Sequence, residues 1–108
     1  MIDQTDLAGG NVAYYDFHVD LQRPLGEQLD ELKEDLIQAE YHDLDVVLDV
    51  GWYPSFSPDG RFVVQLVKAQ DWRSPLLRLE TNELACLRDF IGKAVAEVEQ
   101  MRQISATT

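Results

Sequence analysis

Three residues near the start of the chain, Asp16, His18 and Asp20, have the types and the spacing that could support chemistry. Alternate residues of a β-strand point to the same face about 7 Å apart, so a strand here would bring two carboxylates and an imidazole together. Such a set can ligate a divalent metal or hold a general base. The residues between them, Phe17 and Val19, are apolar. The sequence therefore favours a simpler interpretation, in which the three polar residues form the solvent-exposed side of a half-buried strand.

Two other positions have reactive side-chain types. His42 lies beside Asp43 and Asp45, but a solvated connection between two elements explains this cluster equally well. Cys86 is the only cysteine, and with no histidine near it in sequence it is best interpreted as a structural thiol. No phosphate-binding loop, nucleophile elbow or zinc spacing occurs. We therefore expect no catalytic residue, no metal and no cofactor, and a binding protein, not an enzyme.

The most unusual feature of the sequence is its acidity. Residues 30–45, DELKEDLIQAEYHDLD, contain seven acidic side chains and a single base, Lys33. The net charge of −11 belongs entirely to residues 1–54, which hold 13 acidic and two basic groups, because residues 55–108 hold seven of each. This asymmetry works against binding to nucleic acid or to an anionic membrane and favours a basic protein partner.

The elements that must position these groups follow from hydrophobic periodicity. Residues 11–21 alternate between apolar and polar side chains and predict a half-buried strand. Pro24 then suits the first turn of a helix, and the leucines that follow recur at spacings of four, three and four, which predicts an amphipathic helix to about Glu40. Its other faces would carry like charges three and four residues apart, so local stability does not explain the pattern.

The second half of the sequence predicts three strands and a helix. The strands are expected at Leu44 to Trp52, Arg61 to Ala69 and Leu76 to Glu80. A final helix is expected after them, capped by Thr81 or Asn82, with Glu83 in its first turn and a buried stripe made by Leu84, Leu87, Ile91, Val95 and Val98. Both sides of the Arg61 strand are mostly apolar, which indicates an interior strand.

This element order predicts an α+β fold. We expect a two-layer sandwich in which an antiparallel sheet of about four strands, in the order β-α-β-β-β-α, has its helices packed on one face. Residues 11–104 would form one domain, between a flexible lead-in at 1–10 and a frayed tail at 105–108. Neither a signal peptide nor a membrane-spanning run is visible, so the cytoplasm is the expected compartment.

Aromatic residues supply a second indication of binding. Tyr53 and Phe56 lie among prolines and serines and are expected to be exposed, whereas Trp52 and Trp72 are expected to cap the core. Exposed aromatic side chains beside acidic ones resemble an interface anchor ringed by charge. The residues expected to form one partner-binding surface are Glu27, Asp30, Glu31, Glu34, Asp35, Asp43, Asp45, Asp49, Tyr53 and Phe56.

Residues 48–76, LDVGWYPSFSPDGRFVVQLVKAQDWRSPL, resemble the central meander of small bacterial immunity proteins encoded beside polymorphic-toxin genes, as in contact-dependent growth inhibition. The GWYP and PDGRF pieces and the turn from Trp72 to Pro75 carry the resemblance. It implies a cytoplasmic protein that binds one cognate toxin domain and blocks it. Such toxins are often nucleases with basic substrate-binding surfaces, and an acidic helix could occupy that surface by imitating phosphate charge.

Two alternatives remain open at this point. An acidic secretion chaperone would bind an export substrate and would require a stable homodimer, which light scattering distinguishes from a monomeric inhibitor. A metal enzyme would use Asp16, His18 and Asp20, and would bind zinc, manganese or magnesium in a titration.

Overall fold

The fold is a five-stranded antiparallel sheet with one long helix, and the α+β prediction is confirmed. The computed structural model describes residues 10–20 and 22–107, so the predicted flexible lead-in at 1–10 lies outside the described residues except for its last residue. The strands are β1 (Asn11–Tyr15), β2 (Ile37–Tyr41), β3 (Val46–Tyr53), β4 (Arg61–Lys68) and β5 (Leu77–Thr81), and they pair in sequence order. The 3-10 turns Leu25–Glu27 and Leu29–Glu31 precede β2, and helix α1 (Leu84–Thr107) follows β5.

The predicted first helix is absent. Its segment forms the two 3-10 turns and then β2, whose residues alternate between buried and half-buried. The leucine spacing correctly predicts burial, since Leu32 and Leu36 are fully buried and Leu25 and Leu29 pack against the core. Helical geometry is disfavoured because acidic side chains would stack along its other faces, whereas the run from 37 to 41 also has the period of a strand.

The first strand is shorter than predicted. β1 ends at Tyr15, its pairing with β2 is irregular between Val12 and Tyr14, and the chain then leaves the sheet. Phe17 and Val19 are nevertheless buried, so the alternation correctly identifies core residues beyond the end of the strand. The supposed strand face of Asp16, His18 and Asp20 does not exist.

The remaining elements lie close to their predicted positions. β3 begins two residues later than expected and β5 one residue later. α1 begins at Leu84, one or two residues after the start that a cap at Thr81 or Asn82 predicts. Both sides of β4 are buried, since Val63 and Val67 are 2% and 0% exposed, which confirms its interior position. The backbone of α1 remains helical to Thr107, and the side chains of the predicted tail at 105–108 are outside the described set.

The core lies between one face of the sheet and a second layer. α1 packs on β4 and β5 through a stripe made by Leu87, Ile91, Ala94 and Val98. Residues 17–20 and 22–32 supply the other part of this layer, because their buried residues belong to the same hydrophobic cluster. The C-terminal part of α1 is joined to the turn between β2 and β3 by Arg102, whose Nε donates to Asp43 Oδ2 at 3.0 Å.

The two tryptophans have different environments. Trp52 is 2% exposed, meets the Phe62 ring edge-on with 4.8 Å between centroids, and donates its Nε1–H to the Ser57 carbonyl oxygen at 2.8 Å. Trp72 is 43% exposed, so the expectation that it caps the core is wrong. Among the described helices, none is both long and apolar enough to cross a membrane.

Candidate protein-binding surface

The sheet has a second face, turned away from α1, which we call the far face. Because side chains alternate along each strand, the residues between the core positions point to this side. The strands β4 and β5 place Arg61, Arg78 and Glu80 there, with Arg78 and Glu80 paired at 2.7 Å. The part formed by β1, β2 and β3 differs, and we call it the acidic half of the far face; it contains Tyr14, Asp35, Gln38, Glu40, Asp49 and Tyr53.

An irregularity beside β3 carries Asp35 onto this face. The Trp52 N–H donates to the Lys33 carbonyl oxygen at 2.7 Å, and the Leu36 N–H donates to the Val50 carbonyl oxygen at 3.1 Å. Two residues, 34 and 35, therefore lie opposite the single residue Gly51, as in a β-bulge.

Gly51 is what permits this bulge. A Cβ atom at this position would collide with the backbone carbonyl of Glu34 and would also come within 2.9 Å of the Tyr53 ring. The absence of a side chain thus lets the Glu34 backbone and the Tyr53 ring pack directly on β3. The glycine positions both an acidic and an aromatic member of the far face.

A pocket of about 360 Å³ opens in the acidic half of the far face. Asp49 is the least exposed acidic side chain that the structure describes there, at 6% exposure. Its Oδ1 accepts a long hydrogen bond of 3.4 Å from Gln38 Nε2, and no Lys, Arg or His of the described chain forms an ion pair with it. The pocket is lined by Ala13, Tyr14, Asp35, Ile37, Gln38 and Asp49.

Burial alters the acidity of this carboxyl group. Loss of hydration raises the pKa of Asp49 from 3.8 to about 6, the hydrogen bond from Gln38 opposes the rise, and the negative charge of Asp35 adds to it. Burial, followed by the charges of Asp49 and Asp35, also raises the pKa of Tyr53. Two carboxyl groups, those of Asp35 and Asp49, thus line the pocket, and none of its described lining residues is basic.

The one lysine of the acidic segment is committed elsewhere. Lys33 Nζ lies 2.8 Å from Asp16 Oδ2, and His18 Nε2 lies 2.9 Å from Asp16 Oδ1. The hydrogen bond from Lys33 holds the pKa of Asp16 below its usual value. Because Lys33 is paired with Asp16, it does not neutralise the pocket. Neither Asp35 nor Asp49 has an ion-pair partner among the described residues.

The structure also separates the residues considered for chemistry. Asp20 Oδ1 accepts the Gln22 N–H at 2.9 Å and is not part of the Asp16 ion pairs. His42 Nε2 lies 3.2 Å from Glu40 Oε2, and Cys86 is half-buried with its thiol donating to Glu83 at 3.4 Å. No group of three or more His, Cys, Asp or Glu side chains within residues 10–20 and 22–107 is placed to hold a metal.

The ten predicted binding residues do not form one surface. Glu27, Asp30 and Glu31 lie on the 3-10 turns, in the layer on the α1 side of the sheet. Asp43 and Asp45 lie on the turn between β2 and β3, where Arg102 neutralises Asp43 and lowers its pKa. The structure brings together only Glu34, Asp35, Asp49 and Tyr53, with Phe56 in the adjoining loop.

The predicted exposure of Tyr53 and Phe56 is confirmed, since their exposed fractions are 37% and 54%. Sequence reasoning missed Tyr14, Gln38 and Gly51 as parts of the surface. Gln38 was hidden by the helix prediction, although the alternation in IQAEY could have placed it on a strand opposite Asp49. Tyr14 belongs to the polar set of the alternation in β1, which points away from the core, but it lies outside the acidic segment in sequence.

Comparison with protein-family models, with curated proteins and with solved structures gives no match. The resemblance of residues 48–76 to immunity proteins is therefore carried only by the motifs quoted above.

Proposed function

We propose that this protein is an immunity protein that binds a cognate bacterial toxin domain through the acidic half of the far face. The observation that carries the proposal is Asp49, a 94% buried carboxylate in an open pocket, with no cation among its described neighbours. A basic side chain of the partner is the natural occupant of this pocket. The toxin would then be inhibited by direct contact, and this chain would act without catalysis.

The energetics of a buried carboxylate support a cationic ligand. Removing a carboxylate from water without a counter-ion is costly, and an approaching Lys or Arg regains part of that cost when the complex forms. Arg is the better fit, since its planar guanidinium can bond Asp35 and Asp49 together. The exposed rings of Tyr14 and Tyr53 flank the pocket and supply the apolar contact area that anchors interfaces.

The family resemblance supports the toxin class. Residues 48–76 contain β4 and all of β3 except its first two residues, and with them Asp49 and Tyr53 of the acidic half. A nuclease toxin binds phosphates with a basic cleft, so carboxylates that imitate phosphate charge would occupy the same surface. The cytoplasm, where such a toxin acts, is part of the proposal.

The net charge of −11 gives the complex a kinetic advantage. Long-range attraction between an acidic inhibitor and a basic toxin can raise the association rate to about 10⁸ M⁻¹s⁻¹ at low salt. That rate would fall as salt screens the charges.

A paired charge reversal tests the proposal. We expect Glu34→Lys with Asp35→Lys to abolish protection of cells that express the neighbouring toxin gene, and to weaken binding to the purified toxin domain by at least about tenfold, the effect of losing charge-assisted contacts. Calorimetry and growth of the co-expressing strain are the measurements.

The matched control is Glu27→Lys with Asp30→Lys, which changes the charge equally on exposed residues of the other layer. Protection and affinity should both stay close to those of the unmodified chain. If the two variants lose protection equally, net charge and not this surface is responsible. A neighbouring toxin that the unmodified chain neither binds nor neutralises would refute the proposed function.

A further inference from the structure

The outer edge of β5 is an unprotected strand edge. β5 is the last strand of the sheet, and none of the described residues pairs with its outer side. Edge strands present unpaired N–H and C=O groups, and many proteins block them with Pro, Lys or a bulge. The sequence of β5, LRLET, contains neither Pro nor Lys. The other edge, β1, is interrupted by the irregularity between Val12 and Tyr14.

The side chains of β5 form a pattern that is complementary to itself. Arg78 and Glu80 lie on the far face, 48% and 43% exposed, and flank Leu79 on the opposite side of the strand. Leu77 and Leu79 are half-buried, and Leu76 just before the strand is 49% exposed. The edge therefore combines opposite charges on one face with an apolar fringe on the other.

We propose that β5 pairs with β5 of a second copy of this chain, antiparallel and centred on Leu79. In this register Arg78 of each copy lies directly opposite Glu80 of the other, which makes two ion pairs related by a two-fold axis. Leu79 would meet its own equivalent on the α1 side, and Leu77 would lie opposite Thr81. The two sheets would join into one continuous sheet of ten strands.

Self-pairing fits this edge better than other arrangements. A parallel, in-register pair would place like charges side by side, which is unfavourable. The present bond between Arg78 and Glu80 joins two exposed side chains, and such surface pairs contribute little to stability. Exchanging it for bonds to the second copy therefore costs little. A two-fold interface needs the same patch on both partners, and β5 supplies that.

The β5 pairing does not depend on the proposed function, but a homodimer is also what the chaperone alternative requires. The charge-exchange variants therefore test the interface, and the toxin-binding experiment tests the function. The acidic half of the far face belongs to β1, β2 and β3, at the other side of the sheet, so a β5 dimer would leave both pockets accessible.

Charge exchange tests the pairing. Sedimentation and light scattering over a wide concentration range should show a dimer of the unmodified chain. Arg78→Glu alone and Glu80→Arg alone should each weaken dimerisation by about tenfold or more, because each places like charges opposite each other twice. The double variant with both changes restores opposite charges and should dimerise as the unmodified chain does.

Arg61→Glu is the control, because it makes the same charge change on β4, away from the edge. It should leave the dimer unchanged, and thermal unfolding should show that every variant folds. Amide hydrogen exchange in β5 should slow as the concentration of the unmodified chain rises. A monomer at all concentrations, a dimer insensitive to the single reversals, or a double variant that stays monomeric would each overturn the proposal.

Discussion

Asp49→Asn is expected to stabilise the protein by about 2 kcal/mol above about pH 7, and to weaken partner binding at the same time. The folded protein holds the pKa of Asp49 at about 6, above its ordinary 3.8. Each pKa unit corresponds to about 1.4 kcal/mol, so ionising this buried group costs about 2–3 kcal/mol of the free energy of unfolding. Asn keeps the shape and removes that cost.

The pH dependence has a defined sign. The folded state binds the Asp49 proton more tightly than the unfolded state does, so below pH 3.8 this group does not reduce the free energy of unfolding. As the pH rises from 3.8 to about 6, ionisation of Asp49 lowers the free energy of unfolding, and above about pH 6 the loss stays constant. The difference between the variant and the unmodified chain should therefore be small near the lower value and full above the upper one.

Thermal and urea unfolding across this pH range are the measurements. About 2 kcal/mol corresponds to a rise in Tm of roughly 8 °C for a chain of this size. Asp89→Asn, on the exposed surface of α1, removes one charge elsewhere and should change Tm little. An Asp49→Asn protein that is less stable than the unmodified chain at neutral pH would mean that the carboxylate is structurally required, and the binding interpretation would lose its basis.

Gly51→Ala is expected to destabilise the protein by about 2–3 kcal/mol, the upper range for overpacking a well-packed site. The added methyl group would overlap the Glu34 carbonyl group, which is backbone and can move only if the bulge moves. The displacement would carry Asp35 away from Asp49, so affinity for the proposed partner should fall together with stability. Chemical unfolding and calorimetry measure the two effects.

Gly92→Ala is the matched control. It adds the same methyl group within α1, where the new atom would meet nothing within 4 Å. Ala is the better helix former, so this variant should gain about 0.8–1 kcal/mol. Equal losses from both alanine variants would contradict the role assigned to Gly51.

The sequence predicts the core of this fold better than its early elements. Alternation in β3, the apolar run of β4 and the apolar spacing of α1 identify these two strands and the helix correctly, because one pattern explains each segment. The segment from 25 to 41 was misassigned because its leucines fit a helix while its last five residues also fit a strand. Neighbouring strands decide between such patterns, and pairing partners are invisible in one sequence.

The candidate site was predictable only in part. Acidity and exposed aromatics predict Glu34, Asp35, Asp49 and Tyr53, which the structure places close together, but a charge count carries no information on facing direction. Asp43 illustrates the difficulty, since its neutralising Arg102 lies 59 residues later in the chain. The bulge opposite Gly51 could not be expected while the preceding segment was assigned to a helix.

The amide of Phe56 joins two parts of the surface that sequence separates. Phe56 has a φ of 61° and donates its N–H to the Leu32 carbonyl oxygen at 2.7 Å, one residue before the Lys33 carbonyl that accepts from Trp52. Two adjacent carbonyl groups of the segment before β2 thus accept hydrogen bonds, one from the loop after β3 and the other from β3 itself. Under the proposed function, a partner that binds the Phe56 ring would therefore contact a loop bonded directly to the segment that carries Asp35, so its aromatic and ionic contacts would form on one connected unit.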